Sequence, residues 1–213
     1  EVLARIKNLF DLYCEPKAVY ETLQVMNTLQ PGLCVLGTRL PGCFNVFEMS
    51  VRAVLGQQIT VKAASTLAAR LVAVYGTQVQ TGIEGLTHSF PAPAAILALG
   101  ENISEHLGKL GIISARANTI YQLARVLADE KNDFGFCGNP EEEMQKLQAI
   151  RGIGSWTAQY IAMRAMGWPD AFLPTDAGIK KALPDHTPKE LQVLSEAWRP
   201  WRSYATVNLW NTL

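Results

Sequence analysis

Apolar residues recur along this chain at the three-and-four spacing of amphipathic helices, and no run shows the convincing alternation of a strand. Val2, Leu3, Ile6, Leu9, Phe10 and Leu12 form the first such stripe, so residues 1–10 are expected to be helical. Glu15-Pro16 breaks that helix, and Lys17 to Leu29 reads as a second one. The stretch 30–43 is rich in turn residues and is expected to mark a linker or subdomain boundary. From Asn45 the stripe resumes through Val46, Phe47, Val51, Val54 and Leu55, and Gly56-Gln57-Gln58 interrupts it. Thr60 is a good cap for the next helix, the alanine-rich Val61 to Tyr75. Thr77 to Pro93 is expected to be loop with at most one turn. Short helices follow at 94–99, 103–110 and 114–128, the last carrying Arg116 and Arg125, and 129–139 is a polar connection.

The most informative stretch comes next. Asn139 is a capping residue, Pro140 suits the first helical position, and three glutamates follow in the first turn. That helix is expected to run to about Ile150. Gly152 and Gly154 then supply a tight hairpin, and Ser155 caps a second helix. Two glycines around Ile153 leave backbone N–H groups bare at a helix N-terminus, with no Cβ to hold an anion away: a ready phosphate site. Trp156 and Tyr160, four apart, share a face of the second helix. Asp176 follows a proline and precedes a new helical run, 177–183. Two further helices, about 188–197 and 203–210, are split by Arg199-Pro-Trp-Arg202. The chain reads as nearly all-α, with no repeat and no low-complexity tract.

Composition narrows this picture. With 213 residues and 48% hydrophobic content the chain has ample core for one large domain or two small ones. Its formal charge of +0 counts against a non-specific nucleic-acid coat, which is usually basic. A protein gripping a few phosphates through backbone amides needs less net charge. Cys14, Cys34, Cys43 and Cys137 are scattered without a C-x-x-C or a nearby His pair, so zinc, an iron–sulfur cluster or a disulfide framework is not expected. A reducing, cytoplasmic setting, nucleoid-associated in a bacterium, is the simple expectation; no signal peptide or spanning apolar run is seen. The chain opens inside a helix and ends at Leu213 without a stop signal, so it reads as a piece of something longer.

Three blocks carry a resemblance: Leu-x-x-Ile-x-Gly-Ile-Gly-x-Trp-Thr-Ala at 147–158, Phe-Leu-Pro-Thr-Asp at 172–176 and Trp-Arg-Pro-Trp-Arg-Ser-Tyr-Ala at 198–205. Together they resemble the helix-hairpin-helix DNA glycosylases, most of all the 3-methyladenine DNA glycosylase II (AlkA-like) branch. Arg39-Leu-Pro-Gly42 and Phe47-Glu-x-x-Val-Arg-Ala-Val-Leu-Gly-Gln57 fit the same branch, so the likeness spans most of the chain. The resemblance implies an all-α fold of two helical subdomains flanking a cleft. One would be 1–44 together with 175–213; the other, 45–174, would carry the helix-hairpin-helix at about 140–167. It also implies base excision from double-stranded DNA by a monomer, and in this branch the bases are alkylated purines such as 3-methyladenine. A further N-terminal β-rich domain or a fused alkyl-transfer module, common in the branch, is not visible in the sequence.

Hydrolysis of an N-glycosidic bond passes through an oxocarbenium-like sugar, which a carboxylate near C1′ stabilises. Asp176 is the candidate for that catalytic role, and its place at a helix start favours the charged form. By pattern alone Asp176, or Thr175 beside it, reads as an N-cap; the hairpin upstream favours a site, and one carboxylate can serve both. Bifunctional relatives place a nucleophilic Lys where this chain has Trp156, which implies a monofunctional enzyme leaving an abasic site. Trp156, Tyr160 and, by resemblance, Trp210 are the candidate substrate-binding wall. Aromatic faces attract a cationic base by roughly 0.5–2 kcal/mol per contact. Aromatics at such spacing are, by pattern, more often core than pocket.

The candidate DNA contacts are Gly152, Ile153, Gly154, Ser155 and Thr157 in the hairpin, with Gln57 or Gln58 filling the gap left by a flipped nucleotide. The branch often has Leu at that wedge, and Asn211 stands where a relative has an aromatic, so substrate breadth is left open. The family hairpin also holds a monovalent cation, sodium or potassium, through carbonyls that would be those of Gln148, Ile150 and Ile153. No cofactor is expected in catalysis. Lys146, Arg151, Arg164, Lys180 and Lys181 are candidate phosphate contacts, though most such charges are simply solvated. Arg202 and Ser203 are expected to brace the last helix. Rival readings are a glycosylase for a neutral lesion, such as uracil or an oxidised purine, and a non-catalytic DNA-binding module.

Overall fold

A computed structural model describes residues 2–128 and 139–213. Twelve α-helices are found among them: α1 (Val2–Leu9), α2 (Pro16–Leu23), α3 (Val46–Leu55), α4 (Val61–Tyr75), α5 (Pro93–Leu97), α6 (Ile103–Gly108), α7 (Ser114–Leu127), α8 (Pro140–Gln148), α9 (Ser155–Ala165), α10 (Ala177–Ala182), α11 (Pro188–Leu194) and α12 (Arg202–Trp210). The fold is all-α. The polar connection expected at 129–139 lies outside the described residues except for Asn139, whose side chain accepts from the Glu141 N–H at 3.1 Å. Among the described residues, no helix is long and apolar enough to cross a membrane.

Local chemistry explains the helix starts. Asn45 accepts from the Glu48 N–H at 2.8 Å, and Thr60 from the Ala63 N–H at 3.2 Å. Glu15 caps α2 by accepting from the Lys17 N–H, with Pro16 in its first turn. At α11, Thr187 and Glu190 form a reciprocal capping box.

Three expectations need correction. The second helix does not run unbroken to Leu29: it tightens into a 3₁₀ turn over Gln24–Thr28, whose carbonyls are met by i+3 donors. The expected loop after α4 contains a two-residue antiparallel ladder, β1 (Thr77–Gln78) and β2 (His88–Ser89), too short to show alternation in the sequence. The chain also divides differently from the expected 174/175 boundary. One compact unit comprises the described residues of Glu1–Phe44, Phe136–Met144 and Ala158–Leu213, the other those of Asn45–Gly135 and Gln145–Thr157. The boundary cuts α9 because Ala158, Ile161, Ala162, Met163 and Ala165 are all buried, a face that makes the body of this helix core rather than linker.

In the unit holding both chain ends, α12 is the central element. Its residues from Arg202 to Leu209 are all buried, and α10 packs against it. A helix buried all round must satisfy its polar groups internally. Arg202 does so with a bidentate pair to Asp170, Nε at 2.7 Å and Nη2 at 2.8 Å, and Arg199 joins the same carboxylate. Asn208 accepts from the Val35 N–H and the Thr38 hydroxyl, at 3.0 and 2.9 Å, tying in the turn-rich segment. Tyr204 donates to Asp11 at 2.9 Å, and Asp11, with φ of 53°, also accepts from the Leu40 N–H at 2.8 Å. In contrast α1 buries nothing; Val2, Leu3 and Ile6 are exposed.

In the other unit, α7 is the hub. It packs against α3, α5 and α6 through Ala117, Ile120, Leu123 and Ala124, all fully buried.

Asp170→Ala strands the Arg202 guanidinium without its paired acceptor, and should cost about 3–5 kcal/mol of stability by urea denaturation. Burial first, then the hydrogen bond with Cys14 and the Asp11 charge, push the Tyr204 phenol far above its usual range. A raised folded-state value gives stability that is complete below the ordinary tyrosine range of about 10 and is lost as pH climbs past it. Thermal melts of the native chain should therefore fall steeply above about pH 10, and Tyr204→Phe should start lower at pH 7 but decline less.

Candidate active site and nucleic-acid interface

The hairpin is built within one unit. After α8, Ile150 N–H bonds back to Leu147 at 3.0 Å and Ile153 N–H to Ile150 at 3.0 Å, closing the turn. Gly152 has φ of +96°, and a Cβ there would lie 2.0 Å from Thr119 Oγ1. Both backbone and space therefore demand glycine. The Thr119 hydroxyl, buried on α7, donates to the Arg151 carbonyl at 3.0 Å. Gln57 donates from Nε2 to the Gly152 carbonyl at 3.0 Å and to the Thr157 hydroxyl at 2.9 Å. Arg116 in turn donates to the Gln57 carbonyl. The turn after α3, helix α7 and the hairpin thus form one hydrogen-bonded assembly.

These bonds sort the expected contacts. Gly152, Gly154 and Ser155 are exposed, and a Cβ on Gly154 would meet nothing within 4 Å, so an anion has open access to the first N–H groups of α9. Ile153 and Thr157 are buried, at 4% and 3% exposure; Ile153 anchors the turn, and the Thr157 side chain faces Gln57. Gln57 is engaged with the hairpin rather than projecting outward. Gln58 is exposed with φ of 53°, at the tip of its turn. Thr119 is a bracing residue that no motif marks; a threonine on a helix's apolar face looks like ordinary core.

The carbonyls expected to hold a monovalent cation are those of Gln148, Ile150 and Ile153. The side-chain donors Thr119 and Gln57 fall on the neighbouring carbonyls of Arg151 and Gly152 instead. Ile150 accepts from Ile153 N–H and has a second lone pair. A set of neutral hard oxygens suits an alkali cation, so the residues fit. Among the described residues, no cluster of three or more His, Cys, Asp or Glu could hold a metal.

The second group of residues lies in the unit of α12. Asp176 is the N-cap of α10: its Oδ1 accepts from Gly178 N–H at 2.9 Å and Ile179 N–H at 3.1 Å. The same oxygen accepts from Trp210 Nε1 at 2.8 Å. A Cβ on Gly178 would sit 2.7 Å from Trp210 Cδ1, so glycine there lets the indole reach the carboxylate. Asp176 is buried, with 9% of its surface exposed. Tyr160 on α9 packs beside Trp210, ring centroids 6.2 Å apart at 51°. Trp156 stands one turn earlier on α9, half-buried, in the hairpin's unit.

The segment leading to Asp176 is clamped from α12. Ser203 donates its hydroxyl to the Trp168 and Ala171 carbonyls at 2.7 and 3.2 Å, and its N–H to Pro169 at 2.8 Å. Gln159 accepts from Phe172 N–H at 3.2 Å. Together with the Arg202–Asp170 pair, this fixes residues 168–172 against the helix that also carries Trp210. Of the expected phosphate contacts, Lys146, Arg151, Lys180 and Lys181 are exposed. Arg164 differs: its guanidinium lies over Tyr160 at 5.8 Å and Trp210 at 5.5 Å and donates to the Pro41 carbonyl at 2.7 Å.

Two hairpin glycines separate folding from binding. Gly152→Ala should lower the melting temperature sharply through strain and collision with Thr119. Gly154→Ala should melt like the native chain yet bind duplex DNA about tenfold more weakly in a fluorescence-anisotropy titration.

Comparison with known proteins agrees with this geometry. Residues 51–202 match the HhH-GPD superfamily base excision DNA repair protein family, and residues 1–45 match the AlkA N-terminal domain family. The second match covers the segment that holds α1 and α2. The chain is 38% identical over 212 residues to DNA-3-methyladenine glycosylase 2 of Escherichia coli (strain K12), covering 100% of this chain and 72% of that protein. It is 40% identical over 216 residues to a probable bifunctional transcriptional activator/DNA repair enzyme AlkA of Mycobacterium tuberculosis, covering 99% of this chain and 42% of that one. A solved 3-methyladenine DNA-glycosylase from Archaeoglobus fulgidus shares the fold with a TM-score of 0.80 at 24% identity, over 98% of this chain and 72% of that one. A family match over most of the chain, on a hairpin and a capped aspartate built as described, places this protein in the HhH-GPD superfamily of base-excision DNA repair proteins.

Proposed function

We propose that this chain is a monofunctional DNA glycosylase that releases alkylated purines, of the 3-methyladenine kind, from double-stranded DNA. The observation that carries this is the Asp176 carboxylate, gripped on one oxygen by two helix N–H groups and the Trp210 indole while keeping some of its surface. The name of the E. coli relative supports the same substrate class, and that of the M. tuberculosis relative supports DNA repair.

In this reading, the N–H groups around Gly152, Gly154 and Ser155 hold a backbone phosphate, and Gln58 fills the space of the extruded nucleotide. A monovalent cation on the carbonyls of Gln148, Ile150 and Ile153 would add positive charge facing that phosphate. Trp156, Tyr160 and Trp210 stack on the extruded base. The bond between C1′ and the base nitrogen breaks with its electron pair leaving on the base, which departs neutral when alkylation had made it cationic. Asp176 stabilises the positive charge that develops on the sugar. Water then bonds to C1′ and loses its proton, giving an abasic site. Trp156, at the lysine position of lyase relatives, offers no amine for a Schiff base, so the strand stays intact. The enzyme acts as a monomer in the cytoplasm.

Asp176→Asn tests this, because Asn is as good an N-cap as Asp and leaves α10 in place. Single-turnover release of 3-methyladenine from methylated duplex should fall on the order of 10²–10³-fold, with abasic-DNA binding retained. Equal release by both proteins would remove Asp176 from the chemistry. Borohydride trapping of native protein on damaged DNA should give no covalent adduct.

A further inference from the structure

The aromatic pair beside Asp176 already carries a cation of its own. The Arg164 guanidinium lies over both rings, 5.8 Å from the Tyr160 centroid and 5.5 Å from that of Trp210. It is held there from the outside, by its 2.7 Å bond to the Pro41 carbonyl, and from its own backbone, one turn along α9 from Tyr160.

We infer that Arg164 sets lesion specificity by weakening the attraction of the Tyr160–Trp210 pair for cationic bases relative to neutral ones. The inference rests on the base-excision reading and concerns which base that site prefers. A ring's quadrupole is one charge distribution, and a cation on one face draws on the density that would hold a second cation. A base stacked on the far side of Trp210 lies roughly 9 Å from the guanidinium once a stacking distance is added. Across a partly dry site, like charges still repel at that range. A neutral purine keeps its dispersion and stacking gain and feels no such repulsion. The other charged groups nearby are the same in every Arg164 variant: Asp176 bonds the indole edge and favours cationic bases, opposing Arg164, while Lys180 and Lys181 on α10 are exposed. The residue thus offsets a cation–π site so that neutral alkylated or deaminated purines compete with cationic ones.

The test compares one duplex carrying 7-methylguanine, a fixed cation, with the same duplex carrying hypoxanthine, a neutral purine. Single-turnover release of each base is measured for the native chain, Arg164→Met, Arg164→Gln and Arg164→Lys. Arg164→Met and Arg164→Gln should raise the rate ratio, 7-methylguanine over hypoxanthine, about three- to tenfold, the gain arising in the cationic arm. Arg164→Lys keeps the charge and should hold the ratio within about twofold of native. Gln retains a donor for Pro41, so a neutral variant with that brace is available if Met melts low. A ratio that does not move in either neutral variant overturns the inference. So does a parallel fall of both rates in all three variants, which makes Arg164 a brace for Pro41 alone. Native chain that releases neither of these bases, nor 3-methyladenine from methylated duplex, sinks the base-excision reading itself, a result visible before any variant is compared.

Discussion

One oxygen of Asp176 carries the architecture of its unit. It follows the clamped segment 168–172, starts α10 through two backbone N–H groups, and receives the indole N–H from the last turn of α12. Those bonds join two helices and a loop at a point where burial would otherwise leave polar groups unmet. Because α12 is buried from Arg202 to Leu209, its position is set by the core, and the position of the carboxylate follows from it. The N-cap bonds hold the carboxylate in one orientation.

The hairpin follows the same principle with neutral groups. Thr119 and Gln57 spend side-chain hydrogen bonds on the backbone of the hairpin turn, and Arg116 on the backbone of Gln57. A glycine turn is entropically costly to order. Fixing its carbonyls from α7 and from the turn after α3 leaves the opposite side, the N–H groups, presented outward. The same bonds tie the Gln57-Gln58 turn to the hairpin.

Two arginines show how context divides one residue type. Arg202 is buried and neutralised by Asp170, and its work is to hold a loop in place. Arg164 is half-exposed, lies on the Tyr160 and Trp210 rings and bonds a backbone carbonyl. In a chain of formal charge +0, such local placement matters more than net charge.

The helices, the hairpin and the family were legible in the sequence, because periodicity, capping residues and glycines act over a few neighbours. Asn45, Thr60 and Thr187 cap where short-range chemistry says they should, and Gly152 stands where only glycine serves. The short β1–β2 ladder, the 3₁₀ turn at Gln24–Thr28 and the division of α9 between units were not legible, since each depends on partners far along the chain. The same holds in the candidate site. The sequence determined that an aspartate would open α10 and that aromatics would line α9 and α12. Tertiary structure alone decided that Trp210 bonds that aspartate, that Gln57 turns inward while Gln58 stays out, and that Arg164 lies on the rings rather than in solvent. Local patterns fix which conformations a segment can adopt, but a hydrogen bond across many residues exists only once the core has brought its two ends together.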